Sequence, residues 1–356
     1  MDFSPEINQK LERYKAFYGR PEAGQLLITI PPYTYSPADR PLADVPLSAW
    51  RPFEDAERMA EYHVGQERWF AEHTRDVLSD YIPSVGPGYG IGMNSAFLSN
   101  APLIPAEDTS WIHPVLDELS DMKKLRFDPD NPWVDFMRRY MKRAVELCEG
   151  DYCVNMLAAF APSDLANALR GNQLFYDLYD EPEQVDELLS QCADAIIALY
   201  RELVPYTLAP DGGFNGGGMW IPGSGLFLSE DGADLCSPEQ YDRFFFPQTQ
   251  RVIDAAGGAY IHHHAQGWKV HGRIAGLKNL RFLEFSWDPN RPRPVDHLDE
   301  LLELSLKVPL QIRCTLKDLK ERAGQMRQGR VSVMVNVDTL EEAKEAVRVV
   351  RRNSVI

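Results

Sequence analysis

Four of the eight histidines in the chain lie within eleven residues, in the segment IHHHAQGWKVH at positions 261–271. Three of them, His262, His263 and His264, end an apolar run that is typical of a buried β-strand. Side chains two residues apart on a strand point the same way, so His262 and His264 share one face and His263 points to the other. Two imidazoles on one face can supply two ligands of a tetrahedral zinc ion. The spacing therefore predicts part of a metal site at the end of a strand.

A catalytic zinc site needs at least one further protein ligand from a neighbouring element. Glu284 lies in the strand-like segment FLEFSW and Cys314 in LQIRCT, so both are candidate metal ligands, and His271 could reach in from the following loop. Two other interpretations stay open. Histidines at strand ends also bind anionic substrates or transfer protons, and some only pack and form hydrogen bonds with the backbone.

Other residues suited to catalysis or ligand binding occur near predicted strand ends and in glycine-rich loops. Asp231, in SEDGADLCSP, is either a candidate catalytic acid or a residue of the turn before the next helix. Trp220, in GGFNGGGMWIPG, and Trp268 are candidates for stacking against a substrate, although aromatic residues at such positions also cover cores. The segment RVSVMVNV alternates, with its valines on one face and Asn336 on the other, which makes Asn336 a candidate substrate contact.

These residues belong to a chain in which strand-like and helix-like segments alternate. Helical segments such as PWVDFMRRYMKRAVELCEG separate strands such as YCVNMLAAF, LRFLEFSW and PLQIRCT, and the segments QLLITIP and DYIPSV bring the strand count to eight. Eight such units in 356 residues predict a single (β/α)₈ TIM barrel, with a doubly wound sheet as the alternative. Residues 1–75 are predicted to form a helical and Pro-rich extension that packs on a barrel of residues 76–356.

Composition excludes several classes of function. The formal net charge of −16 gives a field that repels nucleic acid and anionic membrane surfaces. No apolar run approaches the roughly 18–20 residues that a membrane span needs, and the N-terminus lacks the apolar core of a signal peptide. The five cysteines form no CxxC pair and indicate no disulfide framework. We therefore expect a cytoplasmic enzyme that acts on a small molecule.

Five segments, taken in their order and spacing, carry a resemblance to a known family: SDYIPSVGP, DMKKLRFDPDNPW, APSDLANALRGNQLFYDLYDEPEQVDELL, FLSEDGADLCSPEQYDRFFFPQTQRVIDAAGGAYIHHH and LEEAKEAV. From about residue 75 to the end, the chain resembles the uroporphyrinogen decarboxylase superfamily. This superfamily also contains the zinc-dependent methyltransferases of corrinoid methyl-transfer systems. The resemblance implies a (β/α)₈ barrel, in agreement with the alternation of strands and helices.

The methyltransferase branch of this superfamily has a His-x-Cys pair on the strand that matches AYIHHH, and a second cysteine near the last strand. There the zinc ion activates a thiol for methyl transfer. In this sequence His262 matches the histidine, His264 stands in place of the cysteine, and no cysteine lies near VMVNVD. The resemblance thus implies a site with harder ligands, less suited to a thiol substrate.

The decarboxylase branch matches less well at its substrate site. Family members have several arginines for substrate carboxylates in the N-terminal loop, where this chain has a single one, Arg40. The family's tyrosine at the entry of the third-strand helix falls on Asn167, whereas its second-strand aspartate has a match in Asp80. The resemblance places Asn167 among the substrate contacts and Asp80 among the catalytic residues.

The most specific expectation is a methyltransferase linked to methylcobalamin. The chain has no DxHxxG motif for a corrinoid, so the cobalamin is expected on a partner protein, and a homodimer is possible. Two alternatives stay open: a carboxy-lyase acting on a carboxylated or porphyrin-like substrate, and a protein that binds a tetrapyrrole without chemistry. In each case one cavity is expected to be lined by Asp80, Trp220, Asp231, His262, His264, Glu284 and Asn336.

Overall fold

The computed structural model describes residues 1–35, 45–106, 109–156, 158–288 and 290–356, and Arg40 lies outside these ranges. The helices are α1 (Pro5–Gly19), α2 (Pro52–His73), α3 (Met93–Ser99), α4 (Pro132–Leu147), α5 (Pro162–Arg170), α6 (Gln173–Asp180), α7 (Pro182–Leu203), α8 (Pro238–Gln240), α9 (Phe246–Ala256), α10 (Trp268–Ile274), α11 (Leu298–Ser305), α12 (Leu316–Met326) and α13 (Leu340–Asn353). The strands are β1 (Gln25–Thr29), β2 (Ser84–Val85), β3 (Ile104–Pro105), β4 (Ser110–Trp111), β5 (Cys153–Val154), β6 (Ala159–Phe160), β7 (Phe214–Gly216), β8 (Met219–Ile221), β9 (Leu226–Ser229), β10 (Ala259–His264), β11 (Leu280–Ser286), β12 (Leu310–Thr315) and β13 (Arg330–Asn336).

Seven strands form one parallel sheet in the order β1-β13-β12-β11-β10-β9-β6, and β2 pairs with β5 in a separate parallel pair. The alternation of strands and helices therefore predicted the α/β class correctly. Hydrogen bonds among the described residues do not close the strands into a ring, so the closed eight-stranded barrel stays a prediction. The segment YCVNMLAAF, predicted as one strand, is divided into β5 and β6.

The two faces of the sheet have different partners. On β13, Val331, Val333 and Val335 pack against the helices, as the alternation predicts. The opposite face, called the inner face below, includes Tyr260 and Gln311, whose side chains are joined by a hydrogen bond of 3.1 Å across the sheet. Residues that share the orientation of Tyr260 on β10 lie on this inner face.

Helix α1 covers the inner face toward the N-terminal ends of the strands. Its residues Tyr14 and Phe17 are fully buried and belong to an apolar cluster with Tyr260, Phe282 and Trp220. The cluster fills this end of the sheet with apolar groups. The polar residues His262, His264 and Glu284 lie toward the C-terminal ends of β10 and β11, which is where barrel-like folds place their chemistry.

The hairpin of β7 and β8 completes this apolar cluster. Its turn residues Gly217 and Gly218 have positive φ angles of 59° and 77°, a geometry that favours glycine in two-residue hairpin turns. A Cβ atom on Gly218 would lie 2.3 Å from the ring of Tyr81, so the close approach also requires glycine. The glycine-rich segment is thus a structural turn in this fold.

The N-terminal region contributes directly to the main sheet. β1 pairs with β13 in parallel from Gln25 to Thr29, although it precedes the boundary near residue 75 predicted from the sequence. Residues 25–29 therefore belong with the sheet strands and not with an extension. Among the described helices, none is both long and apolar enough to cross a membrane.

Candidate functional site

His262 and His264 project from the C-terminal half of β10 on the inner face. Their Nε2 atoms lie 3.2 Å apart, and the two rings are nearly perpendicular. The side chains are 22% and 20% exposed, so both rings are partly accessible to solvent. β9 and β11 flank the strand, with His262 opposite Ser229 on one side and Glu284 on the other.

Asp231 completes a group of three possible metal ligands. It lies in the short helical turn that follows β9, and its Oδ1 atom is 3.3 Å from His264 Nε2 and 3.8 Å from His262 Nε2. This oxygen is buried and accepts no hydrogen bond within the described part of the chain. A buried carboxylate oxygen without a donor is costly unless a cation or another ligand satisfies it.

The other nitrogen of each imidazole is held by a carboxylate. Glu284 Oε2 lies 3.0 Å from His262 Nδ1, and Asp288 accepts a hydrogen bond from His264 Nδ1. A carboxylate on one nitrogen fixes the ring orientation and leaves the other nitrogen as a metal ligand. Both Nε2 atoms thereby point toward Asp231.

The spacing of the three donor atoms fits a divalent metal ion. Ligand atoms about 2.0–2.2 Å from one ion lie about 3–3.6 Å from one another, and the observed distances of 3.2, 3.3 and 3.8 Å are close to this range. Two imidazoles and one carboxylate suit zinc in catalytic sites and also iron(II) in open sites. Asp231 is therefore the third candidate ligand, whereas Glu284 contacts Nδ1 of His262 and is not in this group of three.

The supporting loop of Asp231 is anchored from α5. The carboxylate of Asp164 accepts hydrogen bonds from the backbone N–H groups of Asp231 and Gly232, at 2.9 and 2.6 Å. Burial and the nearby Asp231 charge raise the pKa of Asp164 well above its usual range, although these two bonds oppose the shift. Ser229 donates to the second oxygen of Asp231 at 3.0 Å, which leaves Oδ1 free toward the histidines.

Electrostatics couples His262 to Glu284. Burial alone would lower the pKa of His262, but the Glu284 carboxylate and its hydrogen bond raise it to about 9. Burial likewise opposes ionisation of Glu284, yet the charge and hydrogen bond of His262 hold its pKa below the usual value. Tyr260 donates a second hydrogen bond to Glu284 at 2.6 Å. The Glu284 carboxylate thus favours the protonated form of the His262 imidazole.

His263 and His271 lie behind the inner face and serve packing. His263 is fully buried, with Nδ1 2.9 Å from the carbonyl oxygen of Glu230 and Nε2 3.2 Å from Asp234. His271 donates from Nε2 to the carbonyl oxygen of His264 at 3.1 Å, and its ring packs on Phe285 and His263, so it lies on the side of β10 away from Asp231, His262 and His264. A Cβ atom on Gly267 would lie 2.2 Å from His263 Nε2, so this packing requires glycine there.

Two predicted pocket residues lie with α1 and not with the histidines. Asp80 is fully buried and forms ion pairs with Arg13 and Arg351, at 2.7 and 2.8 Å. Trp220 belongs to the apolar cluster under the inner face and donates to the carbonyl oxygen of Pro210 at 2.8 Å. The prediction of a single cavity with these residues is wrong, because α1 covers the end of the sheet where they lie.

Cys314 also lies away from the site. Its thiol is buried among residues that face the helices, since β12 alternates and places Gln311 and Arg313 on the inner face. Burial raises its pKa far above the ordinary value, which disfavours the thiolate needed for metal binding. Cys314 was predicted as a ligand, but the inward-facing residue at this point of β12 is its neighbour Arg313.

The other predicted substrate contacts differ in position. Asn336 lies at the C-terminal end of β13 and accepts a hydrogen bond from Arg313 on the inner face. Trp268 begins α10 just after the histidine strand, with 60% of its surface exposed. Asn167 lies within α5 and donates to the carbonyl oxygen of Gly171, so it ends that helix and makes no contact with the histidines.

Sequence reasoning missed Asp164, Asp288 and Arg313. Asp288 follows β11 by two residues, so its place after a strand end was a usable signal. Arg313 shares the inward phase of Gln311, which becomes visible only when the phase of β12 is known. Asp164 lies at the start of a helix 67 residues before Asp231, and the sequence contains no sign of their contact.

No protein-family model matches the chain, and no curated protein matches it in sequence. Among solved structures, a methyltransferase from Methanosarcina mazei is similar over 99% of both chains, with a TM-score of 0.62 and 12% sequence identity. The homocysteine methyltransferase MmuM from Escherichia coli, in its apo form, matches 51% of this chain and 88% of its own at 13% identity, with a TM-score of only 0.22. The first likeness shows that this chain has the overall fold of the Methanosarcina mazei protein.

Proposed function

We propose that this chain is a methyltransferase whose active site holds a divalent metal ion, with zinc favoured, on Asp231, His262 and His264. The observation that carries the proposal is the convergence of two carboxylate-anchored imidazoles on a buried carboxylate oxygen that has no hydrogen-bond donor. Three protein ligands with an open position are the arrangement of catalytic zinc. When bound, the ion would supply a Lewis acid that lowers the pKa of an acceptor group.

Methyl transfer is proposed from two further lines of support. The motifs from SDYIPSVGP to LEEAKEAV resemble the superfamily that includes zinc-dependent methyltransferases. The solved structure with the same overall fold is named a methyltransferase. Together they favour methyl transfer in a closed (β/α)₈ barrel of this superfamily.

The ligand set indicates the kind of acceptor. Two imidazoles and one carboxylate leave more positive charge on a metal than a site with two thiolates does. Such a site favours a hard acceptor atom, an oxygen or a nitrogen, over a thiol. Glu284 and Asp288 keep both rings in place. The methyl group would pass from its donor to the acceptor, the electron pair of the broken bond would stay on the donor, and the acceptor's proton would go to solvent.

The methyl donor in this proposal is methylcobalamin carried by a partner protein. The chain has no DxHxxG motif of its own for a corrinoid. His262 and His264 lie at the C-terminal ends of the strands, the side that α1 leaves uncovered. A second protein could therefore present its cofactor to the histidines from that side.

A carboxy-lyase is the second candidate function. The side chain of Arg313 faces inward near the candidate metal site, and a cation there suits a substrate with a carboxylate. Decarboxylation needs no methyl donor, so the two functions are separable by assay. Binding of methylcobalamin without turnover would point to the third alternative, a binding protein.

The experiment measures zinc in purified wild type beside His262→Ala, His264→Ala and Asp231→Asn. The matched control is His113→Ala, which removes an exposed histidine outside the site. Demethylation of methylcobalamin, followed by its absorbance, is assayed with oxygen and nitrogen acceptors, and decarboxylation is assayed in parallel.

We expect about one zinc per chain in wild type and in the control, with zinc and turnover lost together in the three site variants. Active wild-type protein that contains no metal would refute the metal site and leave the histidines as acid–base or substrate-binding groups. Zinc binding with decarboxylation, but without methyl transfer, would refute the methyltransferase and favour the lyase.

A further inference from the structure

Arg313 lies on the inner face, and its terminal N–H groups make no hydrogen bond within the described residues. Its Nε atom donates to Asn336 Oδ1 at 3.1 Å, and its guanidinium carbon lies 5.8 Å from the ring centre of Tyr33. Within the described ranges, no carboxylate pairs with Arg313, and its two terminal nitrogens donate to no acceptor. By contrast, Arg351 gives both terminal nitrogens to the Asp80 carboxylate.

The register of the sheet places Arg313 beside the candidate metal ligands. Glu284 on β11, which holds His262, pairs with Gln311 on β12, and Arg313 follows Gln311 by two residues on the same face. Neighbouring strands lie about 4.8 Å apart, so β12 is about 10 Å from the histidine strand β10. A long arginine side chain and a ligand of a few bonds can span this distance.

The neighbours of Arg313 orient its guanidinium group. The hydrogen bond to Asn336 holds one edge, and the guanidinium carbon lies over the ring of Tyr33, 5.8 Å from its centre. The remaining edge carries two parallel N–H groups, a fork that matches one carboxylate. Arg313 is partly exposed and Tyr33 is 60% exposed, so solvent reaches this part of the inner face.

We infer that Arg313 binds a carboxylate of the substrate, while the reacting end of the same molecule lies at Asp231, His262 and His264. This assignment rests on the proposed function and adds a substrate class to it: an organic acid with an acceptor atom several bonds from its carboxylate. A carboxylate is favoured over a phosphate dianion because Asp231, Glu284 and Asp288 would repel the second negative charge.

The test uses zinc-loaded protein and isothermal titration calorimetry with succinate, glutarate, acetate and inorganic phosphate as probes. Wild type is compared with Arg313→Met and Arg313→Lys. Arg322→Met is the matched control, because Arg322 is exposed on α12. Zinc content is measured for each protein before titration.

We expect succinate or glutarate to bind about 10- to 100-fold more weakly to Arg313→Met than to wild type, the range for loss of a hydrogen-bonded charge pair. Acetate can bind at the metal without reaching Arg313, so its affinity should fall much less in Arg313→Met. The dicarboxylate affinity of Arg313→Lys should lie between those of wild type and Arg313→Met, because lysine keeps the positive charge but lacks the two parallel N–H donors. The control should bind all probes as wild type does.

Equal dicarboxylate affinity in wild type and Arg313→Met, at equal zinc content, would overturn the assignment and leave the proposed metal site intact. Tighter binding of phosphate than of either dicarboxylate, or no binding of any probe to wild type, would also overturn it. If wild type holds no zinc, the proposed function fails, and titration of the metal-free proteins decides the role of Arg313 by the same comparison.

Discussion

A substitution of Asp80 tests whether this residue contributes to stability or to catalysis. The carboxylate is fully buried and accepts two parallel bonds from Arg351, one from Arg13 and one from the backbone N–H of Ile28 at 2.8 Å. The Asp80 N–H in turn donates to the Ile28 carbonyl oxygen at 2.7 Å. Asp80 thus ties α1, α13 and the edge strand β1 together.

Asp80→Ala should lower the free energy of unfolding by about 3–5 kcal/mol, the range for removing one member of a buried ion pair. Two features place the value within this range. The side chains of Arg13 and Arg351 are 23% and 28% exposed, so water can satisfy them in part. The N–H of Ile28 loses its acceptor, which adds about 1–3 kcal/mol. Asp80→Asn should cost less, because its amide oxygen can still accept from Ile28.

Urea unfolding followed by circular dichroism measures the loss. Asp194→Ala is the matched control, since Asp194 pairs with Arg251 at a comparable 2.6 Å but both side chains are exposed. We expect Asp194→Ala to lower the free energy of unfolding by less than about 1 kcal/mol. Folded Asp80→Asn should keep its zinc and turnover. An Asp80→Ala variant with wild-type stability but no turnover would refute the reasoning and return Asp80 to the catalytic group.

Three further predictions concern Cys314, Asp164 and the partly buried His63. Cys314→Ser should keep the wild-type zinc content, because its side chain faces the helices; zinc loss from a folded variant would make Cys314 a ligand after all. Asp164→Ala removes the acceptor that holds the Asp231 loop, so zinc affinity, measured by competition with a chromophoric chelator, should fall about 10- to 100-fold. An unchanged affinity would show that the loop holds its shape without Asp164. Burial lowers the pKa of His63 from 6.5 to about 4. Between these values the unfolded chain binds more protons than the folded chain, so the contribution of His63 to stability rises with pH through this window and is complete above it. His63→Asn should flatten the urea midpoint against pH between 4 and 6.5, and a slope equal to that of wild type would assign the proton uptake to another group.

Local backbone geometry made part of the site predictable. The two-residue period of a strand puts His262 and His264 on one face independently of the rest of the fold. The structure confirms this, with their Nε2 atoms 3.2 Å apart. The same period on β13 separated the valines from Asn336. Local rules also account for the start of α8, where Ser237 precedes Pro238 and its side chain accepts a hydrogen bond from the backbone N–H of Gln240.

The position of Asp231, the third candidate ligand, depended on relations that no local pattern contains. Asp231, Glu284 and Cys314 all lie near strand ends, and their roles differ because of strand phase and neighbours. Glu284 lies beside His262 and meets its Nδ1 atom, so it supports that ring, whereas Asp231 reaches both Nε2 atoms from the turn after β9. Because adjacent residues of a strand face opposite sides, Cys314 faces the helices while Arg313 faces inward.

The sequence by itself determined the class of fold, the face on which the two histidines lie and the scarcity of arginines in the N-terminal loop, because these follow from composition and short-range periodicity. Only the tertiary structure decided that Asp80 pairs with Arg13 and Arg351, since these partners lie 67 and 271 residues away. It also decided that Arg313 faces the site. Long-range contacts of this kind arise from how α1, α13 and the strands pack together, and packing is a property of the whole chain that no single segment encodes.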